Sequence, residues 1–426
     1  MLARFLDNTR GGVAPLAAVV ALPLMIGVGV AMDYSKVNAA RSAFQVALDS
    51  TALMLSKDAA MESKDQLQTE ATNTFNALFS HPDVVPSSVH VTPNFTTSGG
   101  STLTLSGSAT VNTSFISVIA STVNISATSV STWGNTRLRV ALVLDNTGSM
   151  TDSDKIGALK TASHNLLTQL KAAAVHPEDV YVSIVPFVKD VNVGPSNYNQ
   201  PWVRWDLWEE VNGKCSNTTY KNKTNCVSHS KVWTPANHNT WNGCVTDRDQ
   251  NFDTKNDAPV AGATLYPAEQ YSSCPSASVM GLSNNWTALN AAIDTMTANG
   301  NTNQAIGLQL GWQTLTAAPF TVPPIDTDYK YQTVIILLTD GLNTQDRWYT
   351  SASSIDTRQK KTCDNIKAAG ITLYTVQVNT GSDPTSTLLQ NCATDAGKFF
   401  LLTESGQMVT TFGQIGTSLS KLRLAM

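Results

Sequence analysis

From Val13 to Met32 no position carries a charge, and as a helix the run VAPLAAVVALPLMIGVGVAM would rise about 30 Å, enough to cross a hydrocarbon core. Pro15 and Pro23 suit a bilayer better than a soluble helix, because proline is tolerated in membrane helices. Beyond the run, Tyr34, Val37, Phe44, Leu48 and Leu55 recur at helical spacing among Ala, Gln and Ser. The helix is therefore expected to continue past the bilayer with a packing stripe. From about Val89 to Trp133 the period falls to two, as in Thr102-Leu103-Thr104-Leu105-Ser106 and Val123-Asn124-Ile125-Ser126. That alternation predicts a small β-rich module.

After Trp133 the pattern changes again. Arg139 to Leu144 is an almost wholly apolar run ending in Asp145, the mark of a strand buried on both faces. A helical stripe of Ile156, Leu159, Leu166 and Leu170 follows, then a strand over 180–185. Residues 333–339 form a second buried run, and it too ends in an aspartate, Asp340. Helices over about 353–369, 384–396 and 406–422, with strands at 371–378 and 398–402, complete an α/β class: a doubly wound, mostly parallel sheet. Between about 190 and 285 the alternation fails. This stretch holds Trp202, Trp205, Trp208, Trp233 and Trp241 with four cysteines, and its length predicts an inserted subdomain, its Trp cluster forming its own small core, a binding surface beside the site, or both.

Composition narrows the class. Hydrophobic residues are 42% of the 426 and charged ones 14%, so the chain can fill a core. Net charge is −4 with no long basic run, which leaves nucleic-acid binding without an electrostatic footprint. The six cysteines have no zinc-like spacing. Cys363–Cys392 and two pairs among Cys215, Cys226, Cys244 and Cys274 are the expected disulfides, which implies an oxidising compartment. Arg4 and Arg10 precede the apolar run and place the N-terminus in the cytoplasm by the positive-inside rule. A cleaved signal peptide is the competing reading, but the run is long for one and Val37-Asn38-Ala39 is the nearest cleavage-like site.

Asp145 and Asp340 both fall at carboxyl ends of predicted strands, where α/β sheets bind ligands. In Asp145-Asn146-Thr147-Gly148-Ser149 a carboxylate and two hydroxyls stand at alternate positions, so three oxygens can converge. The loop Asn299-Gly300-Asn301-Thr302-Asn303 can add another hydroxyl. Such a set suits a hard divalent cation. The plainer reading makes each residue a helix cap. Together the segments resemble the metal-ion-dependent adhesion site of von Willebrand factor type A domains: D-x-S-x-S, a distant Thr and a later Asp after a buried strand. The resemblance assigns Asp145, Thr147, Ser149, Thr302 and Asp340 as ligands of Mg²⁺ or another divalent cation, with Thr147 standing where Ser is usual. The first loop also looks somewhat like the D-K-T-G-T loop of haloacid-dehalogenase-type phosphotransferases, in which Asp145 would be a covalent nucleophile.

Over its whole length the chain resembles TadG-like proteins of the tight-adherence (Tad/Flp) pilus system. The resemblance rests on residues 5–15, Asp33-Tyr34-Ser35 and 39–49, followed by the adhesion-type domain. It implies a non-enzymatic, single-pass protein of a bacterial inner membrane, bulk periplasmic or extracellular, that assists pilus assembly or adhesion. Its partners would be pilus or envelope proteins offering an acidic residue to the metal; a purely structural tether is the third reading. The expected division is 1–32 (cytoplasmic tip and transmembrane helix), 33–134 (pilin-like helix plus β module) and 135–426, with the insertion at about 190–285.

Overall fold

The computed structural model describes residues 13–56, 59, 62–97, 101–117, 120–133, 136–316, 318–327, 329–381 and 383–424. Arg4, Arg10 and residues 5–12, which carried part of the sequence argument, lie outside them. The chain divides into two compact units between Asn135 and Thr136.

In the first unit a single helix, α1, runs from Val13 to Leu55. Its apolar first half is exposed: Leu22, Leu24, Met25, Ile26 and Val28 are 57–65% accessible. The part from Val19 onward is long and apolar enough to cross a membrane. The second half is a packing helix. Ala40, Phe44, Ala47, Leu48 and Leu55 are buried against α2 (Lys64–Leu78) and an antiparallel sheet of β1 (His90–Thr96), β2 (Ser101–Asn112) and β3 (Thr122–Trp133). Leu103, Leu105, Ala109 and Val111 point inward from β2, as its alternation requires. Gly107 is the exception in that row, because a Cβ there would lie 2.9 Å from the Phe44 ring. Tyr34 does not belong to the buried stripe; it is 73% exposed, and burial on this face begins with Val37 and Ala40.

The second unit is built on a sheet whose long strands are β4 (Thr136–Asp145), β5 (Val180–Phe187), β9 (Lys330–Thr339), β10 (Thr372–Val378) and β11 (Phe399–Leu402). They pair in the order β5-β4-β9-β10-β11, all parallel. Side chains alternate across it. Leu138, Val140, Leu142 and Leu144 of β4 face a cluster with α3 (Lys155–Ala173), α4 (Trp286–Asp294) and α8 (Gln407–Leu424). Ala141 and Val143 face α5 (Gln304–Thr316), α6 (Ala352–Ala368) and α7 (Thr387–Cys392). This is the expected doubly wound sheet, with one helix shorter than predicted: α7 leaves helical geometry at Ala393, and residues 383–386, which include Pro384, precede it as loop.

The 190–285 stretch is not a separate subdomain. Its short strands β6 (Val191–Asn192), β7 (Cys244–Val245) and β8 (Met280–Ser283) extend the main sheet antiparallel beyond β5 and cover that edge. Trp208 and Trp241 are 1% and 2% exposed, within the same cluster as Val143 and α5. The Trp core is thus shared with the sheet. Three disulfides form, Cys215–Cys226, Cys244–Cys274 and Cys363–Cys392, the last joining α6 to α7.

Candidate functional site

β4 is the strand at which the winding reverses. The chain leaves it through α3 to β5 on one side, and later returns to β9 on the other. Leu144 pairs with Leu338 and Asp145 with Phe187, so the crevice outside these carboxyl ends is bordered by Asp145, Thr339 and Asp340. Three loops close over it. The Gly148 N–H donates to the Gly300 carbonyl (3.0 Å) and the Asn299 N–H to that of Asn146 (2.8 Å), tying the first loop to the second. The Thr302 carbonyl accepts from the N–H groups of Thr344 (2.9 Å) and Gln345 (3.2 Å), and its own N–H donates to Thr344 Oγ1 (2.8 Å), tying the second to the third. Gly300 sits at φ +80°, and a Cβ there would meet Ser273 at 2.9 Å. Only glycine fits that turn without strain.

The oxygens converge. Asp145 is fully buried; its Oδ1 accepts from the Thr147 N–H at 2.8 Å and its Oδ2 from the Thr339 hydroxyl at 2.6 Å. Thr147 Oγ1 and Ser149 Oγ lie 3.2 Å apart, and Ser149 Oγ donates to Asp340 Oδ1 at 2.7 Å. Burial, and then the charge of Asp340, push the Asp145 carboxyl up to about 7 despite hydrogen bonds from Thr147 and Thr339. Thr302 is 4% exposed, on the loop whose Gly300 carbonyl accepts from the Gly148 N–H. Asp145, Thr147, Ser149 and Asp340 are therefore joined in one network, and Thr302 is held beside them through the backbone of its loop.

Sequence reasoning missed three residues here. Lys155 is the most telling: its ammonium, 7% exposed, donates to Asp340 Oδ2 at 2.5 Å. It stands at the first position of α3, where the helix dipole disfavours a cation. Ser153 and Asp154 just before it are left-handed, at φ +53° and +51°. Such conformations persist in non-glycine residues only where the surroundings impose them. Thr339 was legible as the residue before Asp340 but carried no motif. Asn343 accepts from the Gln304 N–H at 2.9 Å and steadies the start of α5; nothing in its spacing announces it.

The donor set fits a hard divalent cation. Two buried carboxyl groups face one lysine, which pairs with Asp340, and the hydroxyls between them present oxygen alone. Among the described residues no group of three or more His, Cys, Asp or Glu converges on a metal-sized site. Any cation here would rely on hydroxyls beside the two carboxylates.

The Flp pilus-assembly TadE/G-like family matches residues 11–61, and the von Willebrand factor type A domain family matches residues 268–414. The chain carries a TadE/G-like segment followed by a von Willebrand factor type A domain. The domain match begins within the insertion and includes Thr302 and Asp340. β4 with Asp145 precedes it in sequence and joins the von Willebrand factor type A domain through the sheet. No curated protein matches the chain. Among solved structures, the pilus adhesin SpaC of Lactobacillus rhamnosus GG is similar at 13% identity and TM-score 0.38, covering 81% of this chain and 36% of its own. The vWF domain of the type V pili tip protein Mfa5 of Porphyromonas gingivalis is similar at 9% identity and TM-score 0.38, over 70% of this chain and 98% of its own. Proximal thread matrix protein 1 of the mussel byssus, with a zinc-occupied MIDAS motif, is similar at 13% identity and TM-score 0.35, over 67% and 46%. The chain spans about a third of the length of the SpaC adhesin.

Proposed function

We propose that this chain is a membrane-anchored, non-enzymatic component of a Tad/Flp pilus system that binds protein partners through a divalent cation, Mg²⁺ in the first instance. One observation supports this reading above the others: two carboxylates, fully or nearly buried, share a crevice with hydroxyls and a single lysine. In it Thr147, Ser149 and Thr302 would hold the cation, with Asp145 and Asp340 direct or through water. When bound, the cation supplies positive charge and an open position for a partner's acidic side chain. The hydrogen bonds from Thr147 N–H and Thr339 aim Asp145, and those among the loops keep the hydroxyls in place without the partner.

The apolar half of α1 supports a single-pass anchor. Arg4 and Arg10 ahead of it support a cytoplasmic N-terminus with the bulk outside, and the TadE/G-like match supports a bacterial inner membrane. On this reading residues 1–32 are tip and anchor, 33–134 a pilin-like module, and 135–426 the binding domain with its insertion at about 190–285. A nucleophilic role for Asp145 finds little support, since the carboxylate is enclosed and both its oxygens already accept hydrogen bonds.

The experiment is calorimetric titration of Mg²⁺ into the full chain and Asp145→Ala, with pull-downs from envelope membranes with and without EDTA. The wild type is expected to bind the ion and to retain partners only without EDTA, while the variant does neither. Equal binding by both proteins sinks the reading, and a trapped aspartyl-phosphate at Asp145 replaces it with phosphotransfer.

A further inference from the structure

Asp33 is the first charged residue after the apolar run, and it is 1% exposed. Its carboxylate is enclosed by a turn from elsewhere in the chain. Oδ1 accepts the N–H of Ser114 at 3.0 Å, and Oδ2 accepts those of Phe115 at 2.7 Å and Ile116 at 2.8 Å. Three backbone donors on one carboxylate make a strong, directional clamp. They belong to the 113–117 turn that follows β2.

The clamp fixes where Phe115 goes. The ring lies against Gly29, where an added Cβ would meet Phe115 Cβ at 2.8 Å and Cγ at 3.0 Å. Gly29 is four residues before Asp33, about 6 Å back along the helix and inside the uncharged run. Despite that contact Phe115 remains 55% exposed. The helix positions around Gly29 are open as well: Ile26, Val28, Val30 and Met32 are 44–61% exposed. Polar groups mark the level just above. Lys36 Nζ donates to Ser114 Oγ at 2.9 Å and lies 3.7 Å from Asp83 Oδ1. An aromatic ring just below a layer of charges, against an apolar helix, has the layout of a membrane interface.

We propose that the 113–117 turn is a lipid-contacting foot, which sets Phe115 into the interfacial region of the bilayer and fixes the height of the β module above it. The occupant of the exposed Phe115 face is lipid, because Phe115 lies against a helix whose exposed apolar stretch is long and apolar enough to cross a membrane. Asp33 is the positioning residue that holds the foot on the anchor. The inference rests on α1 crossing the membrane, and the test separates the two ideas.

All six native cysteines are in disulfides, so an introduced cysteine is the one free thiol. Phe115→Cys, Leu24→Cys and Val130→Cys are made in the full chain and labelled with bimane. They are reconstituted in vesicles of equal phosphatidylethanolamine and phosphatidylglycerol, with lipids spin-labelled at shallow or deep positions. Val130 is the lipid-free, aqueous control: it is 60% exposed and lines a groove with Leu53, about 30 Å farther along α1 than Asp33. The shallow label is expected to quench the probe at position 115 and the deep label the one at 24, with 130 unaffected. Quenching at 24 while 115 behaves like 130 overturns the foot and leaves the anchor standing. No quenching at 24 overturns both. Adding Asp33→Ala to Phe115→Cys is expected to weaken shallow quenching; unchanged quenching removes Asp33 from the proposal.

Discussion

Lys155 shows how much one side chain can decide. A buried ammonium at a helix N-terminus after two left-handed residues is unfavourable on three counts. The carboxylate of Asp340 offsets them, and the lysine in turn neutralises one charge of a pair that would otherwise repel. On the metal-binding reading Lys155 and the cation compete for Asp340. Lys155→Met should therefore cost about 3–5 kcal/mol without metal, the usual effect of breaking a buried pair. It should also bind Mg²⁺ more tightly, because no ammonium has to yield. Thermal melts in EDTA and in Mg²⁺ read both effects together, and the gap between the two melts should widen. A gap equal to that of the wild type would mean that the lysine does not contest the site.

At the scale of elements, α5 carries much of the site's rigidity. Every residue from Gln304 to Leu315 is buried, so amphipathic patterning could not have predicted the helix. It lies close on β4: a Cβ at Gly311 would come 2.5 Å from Val143 Cγ2, and one at Gly307 2.8 Å from the Phe187 ring. Gly311→Ala gains about 1 kcal/mol of helix propensity. Overpacking against the stiff, enclosed Val143 costs about 1–3 kcal/mol, so a net loss in urea denaturation is expected. The insertion reaches the same helix through Asp247, whose Oδ2 accepts from Asn303 Nδ2 at 2.8 Å and from the Arg347 N–H at 3.2 Å. A structural stitch of this kind, between segments far apart in sequence, leaves no local signal.

For the whole molecule, buried carboxylates set the response to pH. Burial, then the charges of Asp346 and Asp253, raise Asp247 to about 7. The folded state thus keeps a proton there that the unfolded chain releases near the ordinary carboxylate value. That contribution is full at low pH and is lost as pH rises toward about 7. In EDTA the domain should accordingly be more stable at the acid end of this window than at its top. Asp247→Asn should flatten the slope without removing it, since burial also raises Asp145 and Asp190. Chemical denaturation across that window is the check; an unchanged slope would show that Asp247 does not titrate there.

Much of this architecture is legible in the amino-acid sequence. The uncharged run, the alternation of β2 and the two apolar strands ending in Asp145 and Asp340 are local patterns, and a local pattern records which faces must be buried. The pairing Cys363–Cys392 was also anticipated, and the structure has it. Tertiary structure decided what depends on residues meeting across long separations. It put Lys155 on Asp340, laid Phe115 against Gly29 under Asp33, and joined the Trp-rich stretch to the edge of β5. Those contacts are set by packing and by the need of buried charges for partners, which no window of neighbouring residues contains. The sequence by itself therefore determined the elements and the chemistry at their ends, while the folded chain decided which charges balance one another.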